Sequence, residues 1–211
     1  DTPPEKYFIT PPLIDYSDYQ KDEEFILKKK RQLNIETKTV FVYSGSAVGY
    51  QELEKTVILF KNIYSKFKDI YYLILVNDSV NVVKLILQTH NISVGNYKIL
   101  RLSPKEVPEF LCIADFGFIL RKNDKYAYGS IPVKIGEYLA CGIIPIYSEH
   151  LMEIKKRLSD DISIYIDNNK LEESAEKIGS FLFNNSPNSN LIIRNRLKEL
   201  GKRFYNIDSY I

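Results

Sequence analysis

The chain has 211 residues, 45% of them hydrophobic and 27% charged, with a formal net charge of +2. That length supports one well-buried core and is short for two, and the composition excludes disorder as the main state. A near-neutral balance asks for neither nucleic acid nor an anionic membrane surface, and no stretch approaches the roughly 18 consecutive apolar residues of a membrane span.

Residues 1–14 are proline-rich, with Phe8-Ile9-Thr10-Pro11-Pro12, which predicts an extended linker or short edge strand ahead of a folded domain over 15–211. The first residues, Asp1-Thr2-Pro3-Pro4-Glu5-Lys6, lack the regions of a signal peptide. The expected location is therefore cytoplasmic, with a peripheral seat at the inner membrane face as an alternative. Residues 18–34 read as a surface helix ending near Asn34. Its run Lys28-Lys29-Lys30-Arg31 is either a solvated face, the commoner case, or a membrane-facing basic patch.

From Val40 the pattern becomes regular. Val40–Tyr43 is a short β-rich apolar run that stops at Ser44-Gly45-Ser46, and residues 51–67 carry apolar side chains at helical spacing. Ile70–Val76 predicts a second strand, 79–89 a second helix and Tyr97–Leu102 a third strand. In Ser103-Pro104-Lys105-Glu106 the serine, proline and glutamate are placed to cap and open the next helix. Asp115–Leu120 is a fourth strand, 132–141 a helix stopped by Gly142, Ile143–Tyr147 a fifth strand and Ile162–Ile166 a sixth, with the rest helical. Cys112 and Cys141 each fall in an apolar helical run and read as buried free thiols. His90 and His150 lack partners at ligand spacing, so no metal site is expected.

Continuous apolar strands alternating with amphipathic helices predict an α/β fold, a doubly wound, Rossmann-like parallel sheet of about six strands with helices on both faces. In the commonest order, 3-2-1-4-5-6, the first and fourth strands are neighbours whose crossovers leave in opposite directions, opening a crevice at their C-terminal ends. The residues there are Ser44-Gly45-Ser46 and Arg121-Lys122-Asn123-Asp124. Tyr43-Ser44-Gly45-Ser46-Ala47-Val48-Gly49 places small residues between strand and helix, where backbone N–H groups can approach a phosphate, although a plain tight turn is an equal reading. Lys134 and Glu137 lie three apart on one helix face. A cation suits a diphosphate and a carboxylate suits a ribose diol, while an exposed salt bridge is the competing reading.

The segment Ser130-x-Pro132-x-Lys134-x-x-Glu137-Tyr138-Leu139-Ala140-x-Gly142-x-x-Pro145 resembles the C-terminal domain signature of group 1 (family 4) glycosyltransferases of the GT-B fold. The likeness extends to Val40–Ser46, to Leu102-Ser103-x-x-Glu106-Val107-Pro108-x-Phe110-Leu111-x-x-Ala114-Asp115, and to Phe8–Pro12. It implies transfer from a nucleoside diphosphate sugar, UDP- or GDP-linked, with retention and without a metal or other cofactor. The acceptor, a glycan or lipid-linked glycan in surface polysaccharide or glycoconjugate synthesis, would bind a separate N-terminal domain. Under that resemblance Glu137 holds the ribose hydroxyls, Gly45 and Ser46 line the diphosphate, Leu102 and Ser103 meet the base through backbone groups, and Ser130 belongs to the donor site. Lys134 falls within the matching motif. Arg121 is assigned from the crevice, and the two cations are the candidates for stabilising the departing diphosphate.

Two departures stand out. The first member of the family's Glu-x7-Glu pair is Gly129 here, and Ala47-Val48-Gly49-Tyr50-Gln51 lacks the basic residue expected after the glycine turn. They favour an alternative, a non-catalytic nucleotide-sugar-binding or regulatory module of the same fold. An unrelated doubly wound nucleotide binder is the third possibility.

Overall fold

In the computed structural model, which describes residues 11–47, 49–124, 127, 130–185 and 187–209, the apolar runs form one parallel sheet. Its strands are β1 (Thr39–Ser44), β2 (Ile70–Val76), β3 (Tyr97–Arg101), β4 (Phe116–Ile119), β5 (Ile144–Ser148) and β6 (Ile164–Ile166). They lie in the order β3-β2-β1-β4-β5-β6, every pair parallel. This is the expected doubly wound topology. All seven residues of β2 are buried, which is why the strand carries no polar alternation: helices cover both faces.

The helices are α1 (Glu23–Gln32), α2 (Leu53–Lys66), α3 (Val80–Thr89), α4 (Val107–Leu111), α5 (Val133–Cys141), α6 (Met152–Lys155), α7 (Leu171–Asn184) and α8 (Pro187–Tyr205). Consecutive strand residues point to opposite faces. On β4 the Phe116 ring meets Phe181 of α7, centroids 6.1 Å apart, and Gly117 faces Tyr138 of α5, so α7 and α5 cover opposite sides of the sheet. Helix α2 packs on α7 and α5 packs on α8. A Cβ on Gly117 would stand 2.3 Å from a ring carbon of Tyr138. A bare backbone there lets α5 lie directly on β4. On the α2 and α7 side the core is aromatic: Phe41 stacks on Phe116 at 5.1 Å and Phe60 on Tyr72 at 4.9 Å.

Several local expectations change. The helix expected from Ser103 starts only at Val107, because residues 103–106 first close a turn in which the Glu106 N–H donates to the Ser103 carbonyl at 3.0 Å. Glu106 does reach back, accepting from the Ser103 N–H at 2.8 Å and its hydroxyl at 2.7 Å, but Ser103 caps no helix. The helix expected over 18–34 begins at Glu23, N-capped by Asp22, with a separate 3-10 turn at Tyr16–Tyr19. Its basic run is solvated at Lys28 and Arg31 only: Lys29 pairs with Glu109 at 2.8 Å and Lys30 with Asp115 at 3.5 Å. Cys112 follows the end of α4 instead of lying within a helix, and both thiols are buried and free. The predicted linker is described only from Pro11 onward. Pro11 and Ile14 are buried, and Ile14 bridges Asn206 beyond α8.

Candidate functional site

Opposed crossovers at β1 and β4 leave the crevice that the strand order requires. Beyond β1 the chain turns through Gly45, whose φ of +145° suits glycine alone, and the Gly45 N–H is tied to the Leu75 carbonyl at 2.9 Å. The turn is also crowded from outside. A Cβ on Gly45 would lie 2.6 Å from both Lys134 Nζ and Gln51 Oε1, so the missing side chain is the space the lysine occupies.

Two cavities open here. The smaller, about 370 Å³, is lined by Tyr19, Ser44, Gly45, Ser46, Leu102 and Glu137 among others. The larger, about 510 Å³, is lined by Tyr50, Arg121, Lys122, Asp124 and Ser130 with apolar residues. A cluster of side chains joins them. Lys134 Nζ donates to Gln51 Oε1 and sits 4.6 Å from the Tyr43 ring centroid. Gln51 Nε2 donates to Ser46 Oγ at 3.0 Å and reaches the Tyr50 hydroxyl at 3.5 Å. Arg121 lies over the Tyr50 ring at 4.7 Å.

Helix α5 presents Lys134 and Glu137 one turn apart, Pro132 opening it and Gly142 closing it at φ +70°. They form no exposed salt bridge. Glu137 is instead bound by the Tyr19 hydroxyl at 3.0 Å, and Lys134 by Gln51. Burial pushes the Lys134 pKa down to about 7, Arg121's charge adding to the effect and Glu137's opposing it. Burial also raises the Glu137 pKa, against the Tyr19 hydrogen bond and the Lys134 charge. Desolvation thus works against the charged form of both groups.

Arg121 is fixed by its backbone: its N–H donates to Ser148 Oγ at 2.9 Å and its carbonyl accepts from Asn168 Nδ2 at 2.7 Å. Its Nη1 is buried without a hydrogen-bond partner among the described residues. Ser130 donates to the Ala127 carbonyl at 3.1 Å and faces the larger cavity. Ser103 lies apart from both linings, its N–H and hydroxyl taken by Glu106. Gly129 and Val48 are outside the described residues. Sequence reasoning missed Tyr19, Tyr43, Tyr50 and Gln51. Tyr50 and Gln51 lie in the stretch after the turn that lacks the expected basic residue, and that departure was the one available signal. Among the described residues no group of three or more His, Cys, Asp or Glu is gathered for a metal ion, and no helix is long and apolar enough to cross a membrane.

No protein-family model and no curated protein matches the sequence. Solved structures do match in fold. Anabaena HepE, solved in complex with UDP and glucose, is 11% identical with a TM-score of 0.74, covering 93% of this chain and 52% of its own. The C-terminal domain of the group 1 family glycosyl transferase LpcC from Francisella tularensis is 10% identical with a TM-score of 0.72, covering 92% of this chain and 99% of its own. A glycosyltransferase from Rickettsia africae is 12% identical with a TM-score of 0.75, covering 97% of this chain and 54% of its own. The chain thus has the fold of GT-B C-terminal domains and spans about half the length of HepE and the Rickettsia protein.

Proposed function

We propose that the chain is the donor-binding domain of a glycosyltransferase that uses a UDP- or GDP-sugar, retains anomeric configuration and works without a metal. The observation that carries this reading is the pair of cavities at the glycine turn, bridged by Gln51 between Ser46 and Tyr50 with Lys134 bound to it, and with one carboxylate, Glu137, in the smaller cavity. The base lies against Leu102 and the ribose diol on Glu137. The diphosphate crosses Gly45 and Ser46 beside Lys134, and the sugar enters the larger cavity by Arg121 and Ser130. When the anomeric C–O bond breaks, negative charge grows on the leaving phosphate oxygen. Fixed cations at Lys134 and Arg121 stabilise it without waiting for water to reorient. The fold shared with HepE, solved in complex with UDP and glucose, supports the reading of a nucleotide-sugar donor domain. A cytoplasmic enzyme making a surface polysaccharide or glycoconjugate, its acceptor held by a second domain, completes the reading.

Calorimetry with UDP and GDP tests it. Glu137→Ala should cost about tenfold or more in affinity, because each charge-assisted hydrogen bond to ribose contributes roughly 1.5–3 kcal/mol. The loss should also appear with nucleoside monophosphates, which share the ribose. No saturable binding at millimolar concentration would remove the reading. The second reading, a sugar-nucleotide-binding module without catalysis, is favoured by Gly129 in place of the family's first glutamate and would show full binding without transfer in any assembly.

A further inference from the structure

The Tyr19 hydroxyl donates to Glu137 Oε1 at 3.0 Å, across 118 positions of sequence. Tyr19 is buried and stands in the wall of the smaller cavity beside the carboxylate it contacts. Phenylalanine would fill the same volume, so the hydroxyl is the part of the side chain that packing leaves unexplained. We infer that Tyr19 is a positioning residue of this cavity, its hydroxyl holding the Glu137 carboxylate in the orientation that receives the ribose diol. The inference rests on the ribose role proposed for Glu137 and adds the group that prepares it.

The tyrosine is held independently of its target. Its 3-10 turn is capped by Asp15, which accepts from the Ser17 N–H at 3.0 Å and hydroxyl at 2.7 Å. Tyr16 donates to the Lys198 carbonyl of α8, and the Tyr19 carbonyl accepts from Cys112 Sγ at 3.1 Å. A turn fixed to α8 and to the end of α4 therefore aims its hydroxyl at a side chain of α5. Tyr19 occupies Oε1, and Glu137 Oε2 has no partner among the described residues. One oxygen is thus anchored while the other keeps its acceptor capacity in a side chain that lines the cavity, the arrangement a two-hydroxyl ligand needs.

Charge follows the same geometry. The titratable groups facing Glu137 are Tyr19 from the N-terminal turn and Lys134 and Tyr138 from its own helix, with Cys112 and Cys141 behind Tyr19. The β1 turn and the loop after β3 add only Ser44, Gly45, Ser46, Leu102 and Pro104. Burial favours the protonated acid, and the Tyr19 hydroxyl is the largest opposing influence. Removing that hydroxyl therefore raises the Glu137 pKa further, and a protonated carboxyl is a poorer acceptor for two hydroxyls.

Tyr19→Phe tests this in the full chain. Side-chain carboxyl NMR without nucleotide should show the Glu137 midpoint moving up. Calorimetry with UDP and GDP should show roughly tenfold weaker binding at pH 7 and an acid limb displaced to higher pH. A 2′,3′-dideoxynucleoside diphosphate, which has no diol, should bind parent and variant alike. On a Glu137→Ala background Tyr19→Phe should change affinity by less than about twofold. If Tyr19→Phe folds poorly, 3-fluorotyrosine at position 19 keeps the ring, donates more strongly and should move the midpoint down. An unmoved midpoint with parental affinity overturns the inference, while a weakened Glu137→Ala leaves the ribose site standing. Should Glu137→Ala bind as tightly as the parent, ribose assignment and inference fall together.

Discussion

A lysine ammonium surrounded by Gln51, Tyr43 and Arg121 is an expensive group to keep, and its pKa near 7 records the cost. Unfolded lysine titrates near 10.5, so between about 7 and 10.5 the unfolded chain holds a proton that the folded chain has released. Stability should rise with pH across that window and be lost as the pH falls toward 7. Lys134→Met keeps length and volume without the charge. We expect it to melt higher than the parent at pH 6 and to show a flatter melting temperature between pH 7 and 10, measured by calorimetry. The same variant should lose affinity for nucleoside diphosphate and keep it for free nucleoside. On the proposed reading a bound diphosphate would restore the parent's lysine to its charged form, so UDP binding at pH 8 should take up roughly one proton, read from enthalpies in buffers of different ionisation heat. Affinity for the diphosphate should accordingly decline above pH 7 in the parent, and Lys134→Met should lack that limb. Proton uptake unchanged in Lys134→Met would show that another group meets the phosphate.

Helix α5 brings Lys134 and Glu137 to the crevice together, and its seat on β4 is set by one missing side chain, that of Gly117. Gly117→Ala forces a methyl against the Tyr138 ring, which must lift with its helix. Overpacking of this kind costs about 1–3 kcal/mol, so a lower melting temperature is expected. The functional signature should differ from that of either site variant: ribose-dependent and phosphate-dependent affinity should fall together, as a displaced helix moves both groups. Tyr138→Leu added to Gly117→Ala should recover part of both. If nucleotide affinity survives a clear loss of stability, α5 is not seated by this contact. Elements of this sort were legible in the sequence because continuous burial leaves its mark: β2 was bounded at Ile70 and Val76, and Gly142 marked the end of α5. The start of α4 was not. Ser103, Pro104 and Glu106 satisfy a capping pattern, but the Ser103 N–H also reaches the Glu106 carboxylate in a turn closed by the Glu106 N–H on the Ser103 carbonyl, and the pattern does not say which. Within the site, Lys134 and Glu137 could be placed on one face by spacing alone. Their partners Gln51 and Tyr19 come from other elements, and such contacts exist only once the chain has folded.

The described chain is a sheet whose open end carries both cavities, with the segment before Tyr16 and the end of α8 tied through Ile14 and Asn206. In the proposed reading every group assigned to the nucleotide comes from this one body, so nucleotide affinity would need nothing more. Transfer would. In that reading Lys134 and Arg121 would stabilise the leaving diphosphate from one side, but an acceptor hydroxyl would have to be held about 3–3.5 Å from the anomeric carbon with water excluded. The larger cavity has space for a sugar, yet no group of the described chain is assigned to orient a second substrate over it. We therefore expect the isolated chain to bind UDP or GDP and to transfer no sugar. The measurement is release of nucleoside diphosphate from a panel of UDP- and GDP-sugars, with and without glycan and lipid-linked acceptors, at nucleotide saturation fixed by the calorimetry. Slow acceptor-independent release would mean water reaching an exposed donor site and would fit a domain lacking its cover. Acceptor-dependent turnover by these 211 residues alone would show instead that the acceptor site is built into this domain, and the two-domain reading would have to be abandoned.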